Sequence, residues 1–508
     1  MEVPQDDIIK LCRELSAQRR LIIVSNRGPI EYHIADDGRL KPSRGQGGMV
    51  TALSALSQYV EFTWIAAAMG EGDRRVGERA KKGHFWAPLP GQKLDLRFVT
   101  LPKMVYHNYY NVFCNPYLWF LQHYMWDTLH SPNVNGVVHD AWEHGYVPAN
   151  RAFAEAVIAE AKDDRCPPII MLQDYHLYLV DGYLRREVPG LILEHFIHIP
   201  WPDSRYWQLV PSVMSRAILD SLCAADIIGL QTEHDVHNFL HTCECLLDGA
   251  GVDDRSHTIN LDARLTRVVS YPISVDVGEL KRLAWSPEVQ GYEQKLRPYF
   301  GEQTIVRVDR AEPTKNIIRG LEAFDILLQR YPQLRGKVKL ISFLVPSRTQ
   351  VMEYQRYTRE IMASVTAINA KYSTLWWQPI KVFYENNYPQ AIAGMRHYDV
   401  LLVNPVVDGM NLVAKEGPIV NTRNGVLILS EAAGAHEQLG ASALSVAPAD
   451  IEGTVQALYA ALTMDAEERK RRAQALRQSI EAEDITEWFY RQFEDIRELA
   501  RKQLSEAR

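Results

Sequence analysis

Over the first twenty positions apolar residues recur at helical spacing, at Ile8, Ile9, Leu11, Cys12 and Leu15, which predicts an amphipathic helix. The pattern then changes. LIIVSNRGPI (21–30) is an unbroken apolar run of strand length closed by turn residues. Runs of this kind suit strands buried on both faces, as in parallel sheets. The same pattern returns in PPIIMLQDYH, LILEHFIHIP and AADIIGLQTE, and later in TIVRVDR, VKLISFLVPSR, YDVLLVNP and NGVLILSEAAG. Helical segments such as VPANRAFAEAVIAEAK and NIIRGLEAFDILLQRYP lie between them. This alternation predicts the α/β class with parallel sheets.

Each run ends in polar residues, and open α/β sheets bind ligands at the carboxyl ends of their strands. The first half offers Ser25-Asn26-Arg27, Asp174 and His198; the second offers Arg310, Arg348 and Asp408. Two sheets facing one central cleft would account for both sets. The boundary is expected within YPISVDVGEL, giving domains 1–275 and 276–481, with a last helix at about 482–508 packing back on the first.

The chain has 508 residues, enough for two large domains, with 46% hydrophobic and 23% charged residues, as in ordinary globular proteins. A net charge of -7 disfavours a nucleic-acid binder that relies on overall positive charge. Six scattered cysteines without zinc-ribbon or Cys-x-x-Cys spacing predict reduced thiols in a cytoplasmic protein. The first residues lack a signal-peptide pattern, and no apolar run approaches the roughly 18 residues of a membrane span. No internal repeat is visible, and AEERKRRAQALR is expected to be a solvated helix face. Homo-oligomers remain open.

Four constellations carry candidate chemistry. In RGQGGMVTAL, Gly45, Gly47 and Gly48 would let backbone approach a phosphate, with a helix opening at Thr51; a plain turn would explain them too. In VRVDRAEPTKN, Arg310 and Lys315 could hold a diphosphate and stabilise it as it leaves; a surface ion-pair loop is the competing account. In DGMNLVAKEGPIVN, Asn411 to Glu416 are expected to open a helix whose backbone N–H groups accept a pyrophosphate. There Asp408 could bond sugar hydroxyls and Glu416 a ribose diol, whereas an ordinary N-cap would explain Asn411 alone. The aromatic stretch VYHNYYNVFCNPYLWFLQHYMW suits a sugar site in part, and core packing for most of its length. His234, His237 and His241 share a helix face, but no carboxylate or cysteine completes a convincing metal set, and no Asp-x-Asp is present. Cationic side chains and helix starts are left to handle the leaving group, with no metal and no cofactor.

Taken in order, SNRGP, the Gly-rich loop, QDYHLYL, FIHIPWP, GLQTEHD, YPISVD, the Arg-plus-Lys loop, VPSR, DGMNLVAKE and GVLILSEAAGA resemble the trehalose-phosphate synthase family of retaining glycosyltransferases, from about residue 20 to residue 490. The resemblance implies a GT-B fold of two Rossmann-like domains and transfer of glucose from a nucleotide-glucose to glucose 6-phosphate. It implies that Arg27 and Arg348 contact the acceptor phosphate, near Tyr110 and Trp119. Asp174 would contact the acceptor sugar and His198 the donor sugar. Arg310 and Lys315 would hold the donor phosphates, and Gly47 and Gly48 would lie in a donor-side loop. Asp408, the backbone of Met410, Asn411, Leu412 and Val413, and Glu416 would take the donor sugar and nucleotide. It further implies front-face displacement with retention, which needs no glycosidase-type carboxylate pair.

Departures stand beside the matches. Ala311-Glu312-Pro313-Thr314-Lys315-Asn316 replaces the family's usual loop, and Val407 its usual arginine. HIPWP with Tyr206-Trp207 is similar to a pseudo-glycosyltransferase branch. The expected partners are therefore a nucleotide sugar, with UDP, GDP and ADP all open, and a phosphorylated acceptor. Glycerol 3-phosphate or an aminocyclitol phosphate are the alternatives to glucose 6-phosphate, and a non-catalytic sugar-phosphate sensor is the alternative of another class.

Overall fold

A computed structural model describes residues 5–45, 50, 53–54, 56–80, 84–87, 94–162, 166–349 and 351–506. Gly47, Gly48 and Thr51 lie outside the described residues. The chain divides into two compact units, one holding residues up to Pro272 together with Thr486–Arg508, the other Ile273–Ile485.

The N-terminal unit carries β1 (Leu21–Ser25), β2 (Ile30–Ile34), β3 (Leu40–Arg44), β4 (Thr63–Ala67), β5 (His84–Ala87), β6 (Leu94–Val99), β7 (Ile169–Gln173), β8 (Ile192–Phe196), β9 (Ile227–Leu230), β10 (Gly251–Asp253), β11 (Thr258–Leu261) and β12 (Arg264–Ser270). β2 and β3 form a separate hairpin; the others build one sheet in the order β10-β11-β12-β9-β8-β7-β1-β4-β6-β5. From β12 to β6 the pairing is parallel, with antiparallel strands only at the edges. β1, β7, β8 and β9 are fully buried, as the apolar runs of β1, β7 and β9 require, while β8 buries Glu194 and His195 as well. From β1 the chain winds outward through β4 and β6, then returns to β7 on the other side of β1. That makes the carboxyl ends of β1 and β7 a topological switch point.

The first helix, Gln5–Ser16, buries Ile8, Leu11, Cys12 and Leu15 as its periodicity predicts, and burial pushes the Cys12 thiol up to about 12. All six cysteines are free thiols. The last helix, Ile485–Glu506, lies against this sheet: Trp488 meets Phe196 edge-on at 5.2 Å and its indole N–H donates to the Tyr271 carbonyl at 3.0 Å.

The C-terminal unit adds β13 (Gln303–Arg310), β14 (Val338–Val345), β15 (Ile380–Tyr384), β16 (Val400–Val403), β17 (Val426–Ser430) and β18 (Leu444–Val446), all parallel in the order β15-β14-β13-β16-β17-β18. Its switch point lies between β13 and β16. Helix Ile317–Arg330 buries Ile317, Leu321, Phe324 and Leu328 at helical spacing against that sheet, each such burial contributing about 1.5–3 kcal/mol. No described helix is long and apolar enough to cross a membrane.

One buried acid stands out in β8. Glu194 has no exposed surface, and neither carboxylate oxygen has a hydrogen-bond partner among the described residues. Burial, aided by the nearby Asp495 charge, pushes its carboxyl up to about 8. The folded chain therefore keeps a proton that the unfolded chain loses near 4.5, and this stabilisation fades as pH rises from about 4.5 through 8. In chemical denaturation, Glu194→Gln is expected to flatten the decline in stability across that window and to exceed the parent above pH 8. An unchanged slope would contradict the assignment.

Candidate functional site

In the N-terminal unit the switch point carries Arg27 and Asp174. The Ser25 hydroxyl donates to the Arg27 carbonyl at 2.7 Å and accepts from the Trp64 indole at 2.7 Å, which fixes the turn after β1. Arg27 is half-buried, its guanidinium 3.5 Å from Glu31. Its positive charge also reaches Tyr106. Tyr110 is stacked between Tyr106, at 5.4 Å, and His176, at 5.8 Å. Trp119 is 5% exposed and packs in the core, stacked on His123 at 3.9 Å and tilted against Tyr175.

Asp174 has φ 75 and ψ 169, a region that side chains rarely occupy. Hydrogen bonds hold it there. Its N–H donates to the Phe196 carbonyl at 2.7 Å, its carboxylate accepts from the His198 N–H at 3.3 Å, and its carbonyl lies 3.2 Å from His195 Nε2. His195 in turn meets Asp181 at 2.7 Å, and both have no exposed surface. Neither residue was found from the sequence, where they lie within apolar runs.

His198 Nε2 is 2.8 Å from Gln173 Oε1. Burial, with the neighbouring His195 charge, pushes its pKa down to about 3, so the ring is neutral at physiological pH. With the amide oxygen as partner, the proton sits on Nε2 and Nδ1 is an acceptor suited to a sugar hydroxyl. Gly45 serves packing: a Cβ there would stand 2.1 Å from the Gly28 carbonyl oxygen.

The departures Trp201 and Trp207 fill the core. Neither has exposed surface; the rings stack at 4.6 Å, and the Trp201 indole donates to Thr242 at 3.2 Å. The trio His234, His237 and His241 separates: His234 pairs with Asn238, His241 with Ser204 and Cys245. His237 stands instead with Glu233 and His257, one possible ligand atom of each lying within 4.8 Å of the others.

In the C-terminal unit, Glu312 organises the switch point. It has no exposed surface, yet pairs with Arg310 at 3.0 Å and Arg348 at 3.7 Å, and accepts from Ser347 at 3.3 Å. Arg310 is 46% exposed, so its outer face can take an anion while Glu312 holds its inner one. The ion-pair account of this loop is thus partly right. Arg348, at φ 42, also bonds the Tyr354 hydroxyl and lies over that ring.

Lys315 reaches across to the Asp408 carboxylate, which also accepts from Asn411 Nδ2 at 3.1 Å. Its backbone is held from beneath by fully buried Arg307, which donates to the Lys315 carbonyl at 3.0 Å and to Asp309 at 2.9 Å. Asn316 Nδ2 donates to the Asn404 and Pro448 carbonyls, tying the loop after β13 to its neighbours.

The helix after Asp408 starts later than expected. It spans Val413–Val420 with Leu412 as N-cap, and Asn411, at φ 72, forms a left-handed turn before it. Met410 is buried, and its carbonyl accepts from the Ala435 N–H at 2.9 Å. Glu416 accepts from the Tyr388 hydroxyl at 2.9 Å, and burial pushes its carboxyl up to about 7. Lys415 faces inward: its ammonium donates to the Ile273 carbonyl at 2.9 Å, and burial pushes it down to about 7.

Two cations at one switch point beside a helix start can hold a diphosphate. A half-buried carboxylate near that start, Glu416, can accept a diol.

Comparison with known proteins gives these features a context. The sequence profile of glycosyltransferase family 20 matches residues 19–498. An alpha,alpha-trehalose-phosphate synthase [UDP-forming] of Dictyostelium discoideum is 30% identical over 92% of this chain, which spans 61% of that longer protein. A trehalose-6-phosphate synthase of Mycobacterium avium is 32% identical, covering 92% of this chain and 93% of its own. Among solved structures, an E. coli trehalose-6-phosphate protein bound with UDP-2-fluoro glucose superposes with TM-score 0.78 at 29% identity, over 94% of this chain and 98% of that one. A Burkholderia xenovorans alpha,alpha-trehalose-phosphate synthase in complex with glucose-6-phosphate gives 0.79 at 26%, over 95% and 100%.

Removing one partner of a buried ion pair strands the others. Glu312→Ala is expected to cost about 3–5 kcal/mol of stability in urea unfolding. A loss under about 1 kcal/mol, typical of exposed pairs, would show that Glu312 does not anchor the two arginines.

Proposed function

This chain belongs to glycosyltransferase family 20, and on that premise we propose that it transfers glucose from a nucleotide-glucose to glucose 6-phosphate, forming trehalose 6-phosphate and a nucleoside diphosphate. The observation that carries this is the Lys315–Asp408–Asn411 cluster just before helix Val413–Val420, with Arg310 at the end of β13, the strand whose following loop carries Lys315. UDP-glucose is the first donor to test, because relatives are UDP-forming and one similar structure holds UDP-2-fluoro glucose.

In the proposed reaction the bond between glucose C1 and the diphosphate oxygen breaks, and its electron pair stays on that oxygen. Arg310 and Lys315 stabilise the charge that develops there. The C1–O bond to the acceptor forms on the same face, and the acceptor hydroxyl passes its proton to the departing phosphate oxygen. Configuration is retained. No metal ion is required, since the chain's own cations face the diphosphate. Asp174 and neutral His198 orient sugar hydroxyls, Arg27 and Arg348 take the acceptor phosphate with Tyr110 nearby, and Glu416 takes the ribose. Trp119 supports the acceptor side from within the core. Phosphorylated sugar and nucleotide substrates, with six free thiols, fit the cytoplasm.

The experiment is direct: purified protein with UDP-glucose and glucose 6-phosphate should release UDP and trehalose 6-phosphate, followed by mass spectrometry against glycerol 3-phosphate and aminocyclitol phosphate acceptors. Absence of turnover with every common nucleotide-glucose would refute the proposal. Arg310→Ala is expected to lower kcat about 10²–10³-fold, and near-normal turnover would remove it from the leaving-group site.

Glu416 must be ionised to accept two ribose hydroxyls, and its carboxyl titrates at about 7. Donor KM is therefore expected to rise as pH falls below about 7. Glu416→Gln should raise KM at pH 8 and abolish that dependence; a variant that keeps it would show that another group titrates.

A further inference from the structure

We propose that Glu233, His237 and His257 form a binding site for a divalent transition-metal ion of the zinc type on the N-terminal unit. The three residues come from two elements. Glu233 opens helix Glu233–Leu246, and His237 lies one turn later on the same face. Thr232 caps that helix, its hydroxyl accepting from the Asp235 N–H at 3.1 Å, which fixes where the first turn starts. His257 arrives from the turn between β10 and β11. Its carbonyl accepts from the Val268 N–H at 2.8 Å, pinning the turn to β12, and its backbone has φ 50. The two imidazoles meet edge to face with centroids 5.3 Å apart.

One ligand atom from each residue lies within 4.8 Å of the others. Tetrahedral zinc holds nitrogen and carboxylate oxygen at about 2.0–2.2 Å, which spaces ligands about 3.4 Å apart. Glu233 and His237 are exposed, so rotation of their side chains can close the remaining gap of at most about 1.4 Å. Two imidazoles with one carboxylate suit zinc and its neighbours, while magnesium and calcium seek oxygen ligands. Three protein ligands leave a fourth position for water. The same helix carries one competing pair, Cys245 and His241, with Sγ 3.4 Å from Nε2.

The test uses the full chain, stripped with chelator and titrated with zinc chloride by calorimetry, then with cobalt(II) followed by its visible absorption. One ion per chain is expected. Glu233→Gln, His237→Ala and His257→Asn should each weaken binding by at least about tenfold; asparagine is chosen because it tolerates the left-handed backbone at that position. Cys245→Ser should leave binding and the cobalt spectrum unchanged. No binding to the parent, equal binding by the His237 and His257 variants, or loss of binding in Cys245→Ser would each overturn the proposal.

Discussion

A carboxylate without exposed surface is tolerated only where cations are brought to it, and Glu312 imposes that condition on the C-terminal unit. Its two oxygens draw in Arg310 and Arg348, each from the end of a different parallel strand. One buried group thereby sets the direction of two guanidiniums. Lys315 is held on the same principle by Asp408, whose second contact, Asn411, belongs to the turn before the next helix. The cations are thus aimed by the protein's own buried carboxylate and its neighbours, and fixed charges of this kind are what electrostatic stabilisation of a leaving diphosphate requires.

Each unit places its chemistry where strand order reverses. In the N-terminal unit this costs backbone strain at Asp174, held by Phe196 and by the buried His195–Asp181 pair. Strain of this kind persists only where the surroundings over-determine it, and it gathers at functional positions. Beneath Lys315, buried Arg307 plays the corresponding supporting part. The groups proposed to touch substrate range from buried Lys315 to Arg310 at 46% exposure, while Glu312, Arg307, His195 and Asp181, which position them, have no exposed surface.

Most central parallel strands were legible because burial on both faces leaves apolar runs, as in β1, β7 and β17, whereas β4, though equally buried, was not read. β6 and β15 escaped because they lie toward sheet edges, where LDLRFV and IKVFY mix polar with apolar positions. Strand-end cations were legible for a related reason: a charge that closes an apolar run is conspicuous. Glu312 was visible only as a departure from a family pattern, since its role depends on Arg348, thirty-six positions away. The helix start was placed two residues early because Asn411 has the composition of a helix opening but a left-handed backbone. Trp119 has the chemistry of a sugar platform, and packing took it into the core. His257 joins His237 through a hairpin, a contact that helical spacing alone does not reveal.

The central claim is that a nucleoside diphosphate is gripped by Arg310 and Lys315 beside the helix that follows Leu412. A crystal structure of the chain with bound UDP tests this most directly. The account predicts phosphate oxygens within hydrogen-bonding distance of both side chains and facing the N–H groups that open helix Val413–Val420. A diphosphate bound elsewhere, with Arg310 and Lys315 engaged solely by Glu312 and Asp408, would contradict it.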